Sequence, residues 1–141
     1  MSVSAAVTIL LPWDTPPLSL NDRHASKAAE AALIARVRRD AGWTVKAKRI
    51  GHPPHVTVEM RSQPRRRGRR DTDNIVATLK PVCDAIVDAG VVDDDTPEYM
   101  TKVMPTIVAP TRSQRTGRLW LIITPRPGRD RPTGGLPDID G

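Results

Sequence analysis

Two aspartates directly follow the most basic segment of the chain. Asp71 and Asp73 come after residues 63–70, which contain five arginines and no acid. Carboxylates beside such a segment would repel a bound phosphate unless a cation offsets their charge. Magnesium takes carboxylate oxygens, keeps water ligands and bridges to phosphate, so it can polarise a phosphodiester and activate a water. The spacing therefore indicates a magnesium site that acts on phosphate. The arginines, which we expect to bind DNA phosphates, are Arg65, Arg66, Arg67, Arg69 and Arg70.

An ordinary helix start is the alternative interpretation of these two acids. Asp71 is a good N-cap residue, and Asp73 would interact favourably with the helix dipole. For an isolated D-x-D pattern this alternative is the more common one. A second acidic cluster, Asp93 to Asp95, would by itself be a polar turn.

A charged stripe is predicted along the helix that begins near Asp71. At about 100° per residue, Lys80 and Asp84 each fall within roughly 20° of Asp73. Lys80 could stabilise charge that develops on a phosphate, although a single lysine is more often a solvated surface residue. The opposite arc of the helix is apolar and would face the core: Ile75, Leu79, Val82 and Ile86.

Composition favours a polyanionic partner. The formal net charge is +6 and the sequence pI is about 10.2, so nucleic acid is the first candidate. The longest apolar runs are only strand-sized, which argues against a membrane partner. Four aromatic residues and no Phe leave little material for a row of stacking side chains. We therefore expect backbone charge and shape to dominate recognition.

The compartment is predicted from two features. Cys83 is the only cysteine, which excludes an intramolecular disulfide and a cysteine-rich zinc module. The first six residues show neither a basic region nor a signal-length apolar stretch. We expect a cytoplasmic protein, in which Cys83 belongs to the core.

The periodicity predicts an α/β or α+β domain with the order β-α-β-α-β-β, in which two helices pack on a mixed sheet. The second helix contains Pro81, which should kink or break it. We assign residues 1–124 to this domain and residues 125–141 to a flexible Pro/Gly-rich tail. The predicted helices span Ser26 to Ala41 and Asp71 to Gly90; the clearest strands are Val7 to Leu11, Val56 to Met60, Tyr99 to Val108, and Arg118 to Thr124.

An ordered set of motifs resembles the RusA family of Holliday junction resolvases. The set comprises R-R-D-T-D-N at 69–74, K-P-V-C-D-A-I at 80–86 and A-G-V-V-D-D-D at 89–95. The proline-rich turn at 12–17 and K-V-M-P at 102–105 also resemble the family. The resemblance covers about residues 7–124.

The resemblance implies a magnesium-dependent homodimer that nicks four-way DNA junctions symmetrically in a bacterial or phage-infected cell. The implied catalytic metal ligands are Asp71, Asp73 and Asp95, with Asp94 adjacent to the third ligand, and Lys80 is the implied catalytic lysine. The family lysine lies one helical turn earlier, at the position of Ala77, whereas Lys80 keeps its spacing to Asp84.

Two other functions remain open from the sequence. The chain could be a noncatalytic, structure-selective DNA-binding protein whose acidic cluster is only structural. It could also be another D-x-D enzyme, such as a phosphatase or a nucleotide-sugar transferase. Those enzymes usually place the motif directly after an apolar strand, whereas arginines intervene here, which disfavours them.

Overall fold

The computed structural model describes residues 5–18, 26–66 and 71–126, without the side chains of residues 71–73. In chain order the elements are β1 (Val7–Leu10), α1 (Lys27–Lys46), β2 (His55–Gln63), α2 (Asp71–Asp88), β3 (Met100–Lys102), β4 (Thr106–Ile107) and β5 (Arg118–Arg126).

The two longest strands, β2 and β5, form the centre of the sheet. They pair antiparallel, with Val58 opposite Ile123 and Met60 opposite Leu121. These four side chains are fully buried, because alternate residues of each strand face the helices. The sheet order is β1-β5-β2-β3, and β4 also pairs with β2. Since β3 and β4 run parallel to β2, the sheet is mixed and the predicted α+β class is confirmed.

Helix α1 begins where the sequence predicts and ends later. The hydroxyl of Ser26 accepts a hydrogen bond from the backbone N–H of Ala29 at 3.0 Å, which caps the helix. The helix continues past Gly42 to Lys46, so the predicted end at Ala41 is wrong. The buried stripe explains the extension, because it continues to the last turn through Val37, Ala41 and Val45.

Helix α2 confirms the predicted apolar arc and does not break at Pro81. It extends from Asp71 to Asp88, and Gly90 follows with a φ of 85°, a left-handed conformation that suits a glycine after a helix. Ile75, Val82 and Ile86 are fully buried, and Pro81 is buried beside them. Burial of this face stabilises the helix despite the backbone hydrogen bond that a proline lacks.

The two predicted strands nearest the C-terminus have different bounds in the structure. The segment from Tyr99 to Val108 is two short strands, because Pro105 cannot donate a backbone hydrogen bond between them. Strand β5 extends to Arg126 and so enters the predicted tail. Val7, the first residue of β1, pairs with Ile123 of β5. Beyond Ile123, β5 has only β2 as a partner strand, so Pro125 is tolerated there. The remainder of the predicted tail, residues 127–141, lies outside the described residues.

Neither helix in the part of the chain that the structure describes is long and apolar enough to cross a membrane.

Candidate functional site

The predicted D-x-D residues lie in the first turn of α2. The backbone of Asp71 and of Asp73 is helical, whereas their side chains lie outside the described residues. Three of the predicted phosphate-binding arginines, Arg67, Arg69 and Arg70, also lie outside them. The remaining two, Arg65 and Arg66, are exposed in the loop that leads towards α2. These positions are therefore compatible with a basic segment beside the helix start.

Asp95 lies between two lysines from different elements. Its carboxylate accepts hydrogen bonds from Nζ of Lys80 on α2 at 2.8 Å and from Nζ of Lys102 on β3 at 2.9 Å. The Asp95 side chain is only 14% exposed, whereas that of Lys80 is 66% exposed. The structure thus brings together Lys80 and Asp95, two residues that the sequence placed in one site.

The two lysines keep Asp95 ionised. Hydrogen bonds from Lys80 and Lys102 lower the pKa of the Asp95 carboxyl to about 2. Hydrogen bonds to Asp95 and then to Asp84 raise the pKa of Lys80 above its usual value. At neutral pH the cluster therefore holds an ionised carboxylate that is hydrogen-bonded to two lysines.

The other two acids of the turn have different partners. Asp94 accepts a hydrogen bond from the backbone N–H of Asp95 at 2.8 Å and shapes the turn. Asp93 lies 3.1 Å from Nε2 of His52, whose Nδ1 contacts the carbonyl of Gly90 at 2.6 Å. Both acids are exposed, so Asp95 is distinguished from its neighbours by its burial and its lysine partners.

A chain of ion pairs continues from Asp95 along α2. Lys80 also donates to Asp84 at 3.0 Å, and Asp84 lies 3.9 Å from the Arg38 guanidinium on α1. Arg38 makes a two-pronged contact with Asp88, with one hydrogen bond of 2.8 Å from its Nη2. The predicted stripe through Lys80 and Asp84 is therefore observed, and α1 extends it.

One described side chain near the helix start has the chemistry of a ligand for a hard divalent cation. Asn74 follows Asp73, and its amide oxygen is buried with no hydrogen-bond partner. Such an oxygen, together with carboxylates, is the kind of ligand that magnesium prefers. No group of three metal-ligating side chains occurs among the described residues, which leave out those of Asp71 and Asp73. On an ideal helix Lys80 lies roughly 10 Å beyond Asp73. Asp95, which contacts Lys80, would therefore have to turn away from this lysine to share a metal ion with Asp73.

Two further candidates for chemistry have structural roles. Cys83 is buried on α2, and burial raises the pKa of its thiol to about 12, so it is a poor nucleophile. His55 is also buried, and its ring contacts the carbonyl of Glu98 at 2.9 Å and the hydroxyl of Thr101 at 2.8 Å. Cys83 thus belongs to the core as the sequence predicts, and His55 joins β2 to β3.

Sequence reasoning did not assign Lys102, Arg38 or Asp88 to the site. Lys102 was noted only in a motif resembling a family strand, and its approach to Asp95 depends on the parallel pairing of β3 with β2. Arg38 lies near the end of the first predicted helix, where a basic residue is ordinarily explained by the helix dipole. Its contact with Asp88 spans fifty positions, which no local spacing could indicate.

A comparison of the chain with known protein families gives no match, and a search among curated proteins gives none either.

Proposed function

We propose that this chain is a magnesium-dependent endonuclease that nicks four-way junctions or related branched DNA. The observation that carries the proposal is the ionised Asp95 carboxylate, held between Lys80 and Lys102 beside the helix that begins with the D-x-D pattern. The resemblance of the motif order to the RusA family supports the same reaction. The net charge of this chain, +6, suits a polyanionic substrate.

Each group of the site has a separate role in this proposal. Asp71, Asp73 and Asp95 would hold the metal ion, with Asp94 as the alternative third acid. When bound, magnesium would neutralise charge on the scissile phosphate and acidify a coordinated water. Lys80 and Lys102 bind the nonbridging oxygens of the phosphate and stabilise the charge that develops on it. When the lysines bind phosphate, they release the Asp95 carboxylate. In this proposal the lysines therefore occupy Asp95 in the free protein, and the cation replaces them when DNA binds.

The proposed reaction also needs a substrate track and a second site. Arg65 and Arg66 are exposed in the loop that precedes α2 in the chain, and we expect them to bind DNA phosphates near the cleaved bond. Two symmetric nicks in a four-way junction require two sites related by a two-fold axis, so we propose a homodimer. Light scattering at the assay concentration tests this part, and a monomer that still makes paired nicks would contradict it.

The test is a cleavage panel. End-labelled four-way junction, fork, duplex and single strand are incubated with the parent protein in magnesium, and again with a chelator. We expect nicks in the junction at symmetry-related positions, slower cutting of duplex, and none in chelator. Equal cutting of all four substrates would exclude branch selectivity, and cutting in chelator would exclude a metal-dependent reaction.

A noncatalytic, branch-selective DNA-binding protein is the second candidate. One observation favours it: both exposed cations near Asp95 are already paired, so the cluster could simply join α2 to β3. This function predicts junction binding that is indifferent to magnesium and no nick at any protein-to-DNA ratio. The cleavage panel therefore separates the two candidates.

A further inference from the structure

A cleft away from the acidic cluster contains an exposed tryptophan. The cleft has a volume of about 360 Å³ and lies between α1 and the C-terminal end of α2. Trp43 lines it with 66% of its surface exposed, which is unusual for a large aromatic side chain that is highly buried on average. Ala35 and Gly42 add small walls to the cleft. A flat aromatic ring is thus presented to solvent in a recess of ligand size.

The cations of the cleft are placed around this ring. Arg39 and Lys46 lie four residues before and three after Trp43, so all three side chains share one face of α1. Nζ of Lys46 is 5.8 Å from the centre of the indole ring, within the range of a cation–π contact. Arg38 and Asp88, which are hydrogen-bonded to each other, also line the cleft. The lining carries three positive charges and one negative charge, which favours an anionic ligand.

We propose that this cleft binds an unpaired nucleotide, whose base stacks on the Trp43 indole and whose flanking phosphates contact Arg39 and Lys46. Aromatic rings bordered by cations bind single-stranded nucleic acid in this way, because every base has a π-face and every linkage a negative charge. The contact deepens the proposed function and rests on it, since a branch point is where a duplex-binding protein meets unstacked bases.

The position of the cleft agrees with one continuous DNA path. Arg38 connects it to the acidic cluster through Asp84 and Lys80. From Lys80 to Asp88 the rise along α2 is roughly 12 Å, which is about three or four nucleotide steps of a DNA strand. A strand whose phosphate lies at Lys80 can therefore place a nearby nucleotide in the cleft.

The test measures binding in chelator, so that it does not depend on cleavage. The probes are a fully paired duplex and a four-way junction with one unpaired 2-aminopurine at the branch point. We expect W43A to bind the unpaired-base junction about 10-fold more weakly, with much less change for duplex, and to lose the quenching of 2-aminopurine. W43F should restore most of the affinity and the quenching, whereas W43L, which keeps apolar area without a ring, should not.

Charge variants separate stacking from general attraction. K46Q and R39Q should each weaken binding of the same junction, whereas K27Q, which removes an exposed charge from the other end of α1, should leave it nearly unchanged. Thermal unfolding of each variant verifies folding, which an exposed side chain should not alter.

Three results would overturn the proposal: unchanged junction affinity in W43A, equal rescue by Phe and Leu, or loss of self-association in W43A with DNA affinity intact. The last result would assign the cleft to a second copy of the chain. If the parent binds and W43A does not, but neither nicks DNA, the cleft stands and the proposed nuclease function fails.

Discussion

The ion-pair chain along α2 has two ends that differ in their exposure to water. At the inner end the Asp95 side chain is 14% exposed and contacts two lysines. At the outer end Arg38 and Asp88 are 45% and 43% exposed and contact mainly each other. The Asp95 carboxylate is therefore better shielded from water than the Asp88 carboxylate, so water screens its interactions less.

The difference indicates separate tasks for the two ends. An exposed ion pair contributes little to stability because water and salt screen it, so Arg38 and Asp88 serve mainly to shape the wall of the cleft. Water screens the interactions of a shielded carboxylate less, so Asp95 and its two lysines keep a defined arrangement of charges. The Asp95 end of the ion-pair chain is therefore the better candidate for phosphate chemistry.

The largest expected effect is on nicking. D95N should lower the magnesium-dependent nicking rate at least about 100-fold, because it removes a negative charge from the proposed metal site. D88N, which makes the same chemical change on the same chain of ion pairs, should alter the rate less than about 3-fold. Single-turnover cleavage of a labelled junction provides both rates. Similar losses in the two variants would erase the distinction between the ends.

Removal of the lysine partners should have a smaller effect. K80M and K102M should each reduce nicking about 10-fold or more, because each loses a cation for the phosphate. K48M removes an exposed lysine elsewhere and is the matched control. If K102M cuts like the parent while K80M does not, Lys102 only joins β3 to the turn, and the site contains one functional lysine.

Acid unfolding should also separate the two ends. Because the folded pKa of Asp95 is about 2, below its usual value, its stabilisation is present above about pH 4 and is lost as the pH falls from about 4 to 2. D95N should therefore lower the free energy of unfolding by at most about 2 kcal/mol at pH 6, and this difference should vanish near pH 2.

The pKa of Asp88 is lowered by Arg38 in the same direction, yet D88N should cost less than about 1 kcal/mol because water screens the pair. Urea titrations at several pH values measure both variants. A larger loss in D88N than in D95N would reverse the proposed order.

The smallest expected effect concerns Cys83, which directly precedes Asp84 on α2. Burial raises its thiol pKa to about 12, so at pH 8 the folded protein should react with a thiol reagent far more slowly than the unfolded protein does. Rapid labelling of the folded protein would show that this part of α2 opens readily. The ion pairs along α2 would then not lie on a rigid surface.

Most of the fold follows from local patterns in the sequence. Alternation identified β2, a strand-sized apolar run identified β5, and helical periodicity identified α1 and α2 with the buried Ile75, Val82 and Ile86. Helix length was harder, because the predicted first helix ended at Ala41 and only the burial of Val45 against the rest of the fold extends α1. Pro81 likewise suggested a break that burial of α2 prevents.

The site was less accessible to sequence reasoning. Lys80 and Asp95 could be grouped from motif order, but the lysine from β3 depends on a strand pairing that no spacing encodes. The count of aromatic residues argued against a row of stacking side chains, and it could not reveal that Trp43 lies exposed beside cations. Contacts between distant segments, rather than local patterns, decide both features.

The most direct test of the account is junction cleavage by D73N. With magnesium, the parent protein and D14N, whose substitution removes an exposed acid far along the chain from α2, should nick a four-way junction at similar rates. D73N should bind the junction with near-parental affinity and show no nick above background. Undiminished cutting by D73N would contradict the metal site proposed at the start of α2, and no cutting by the parent would contradict the proposed nuclease itself.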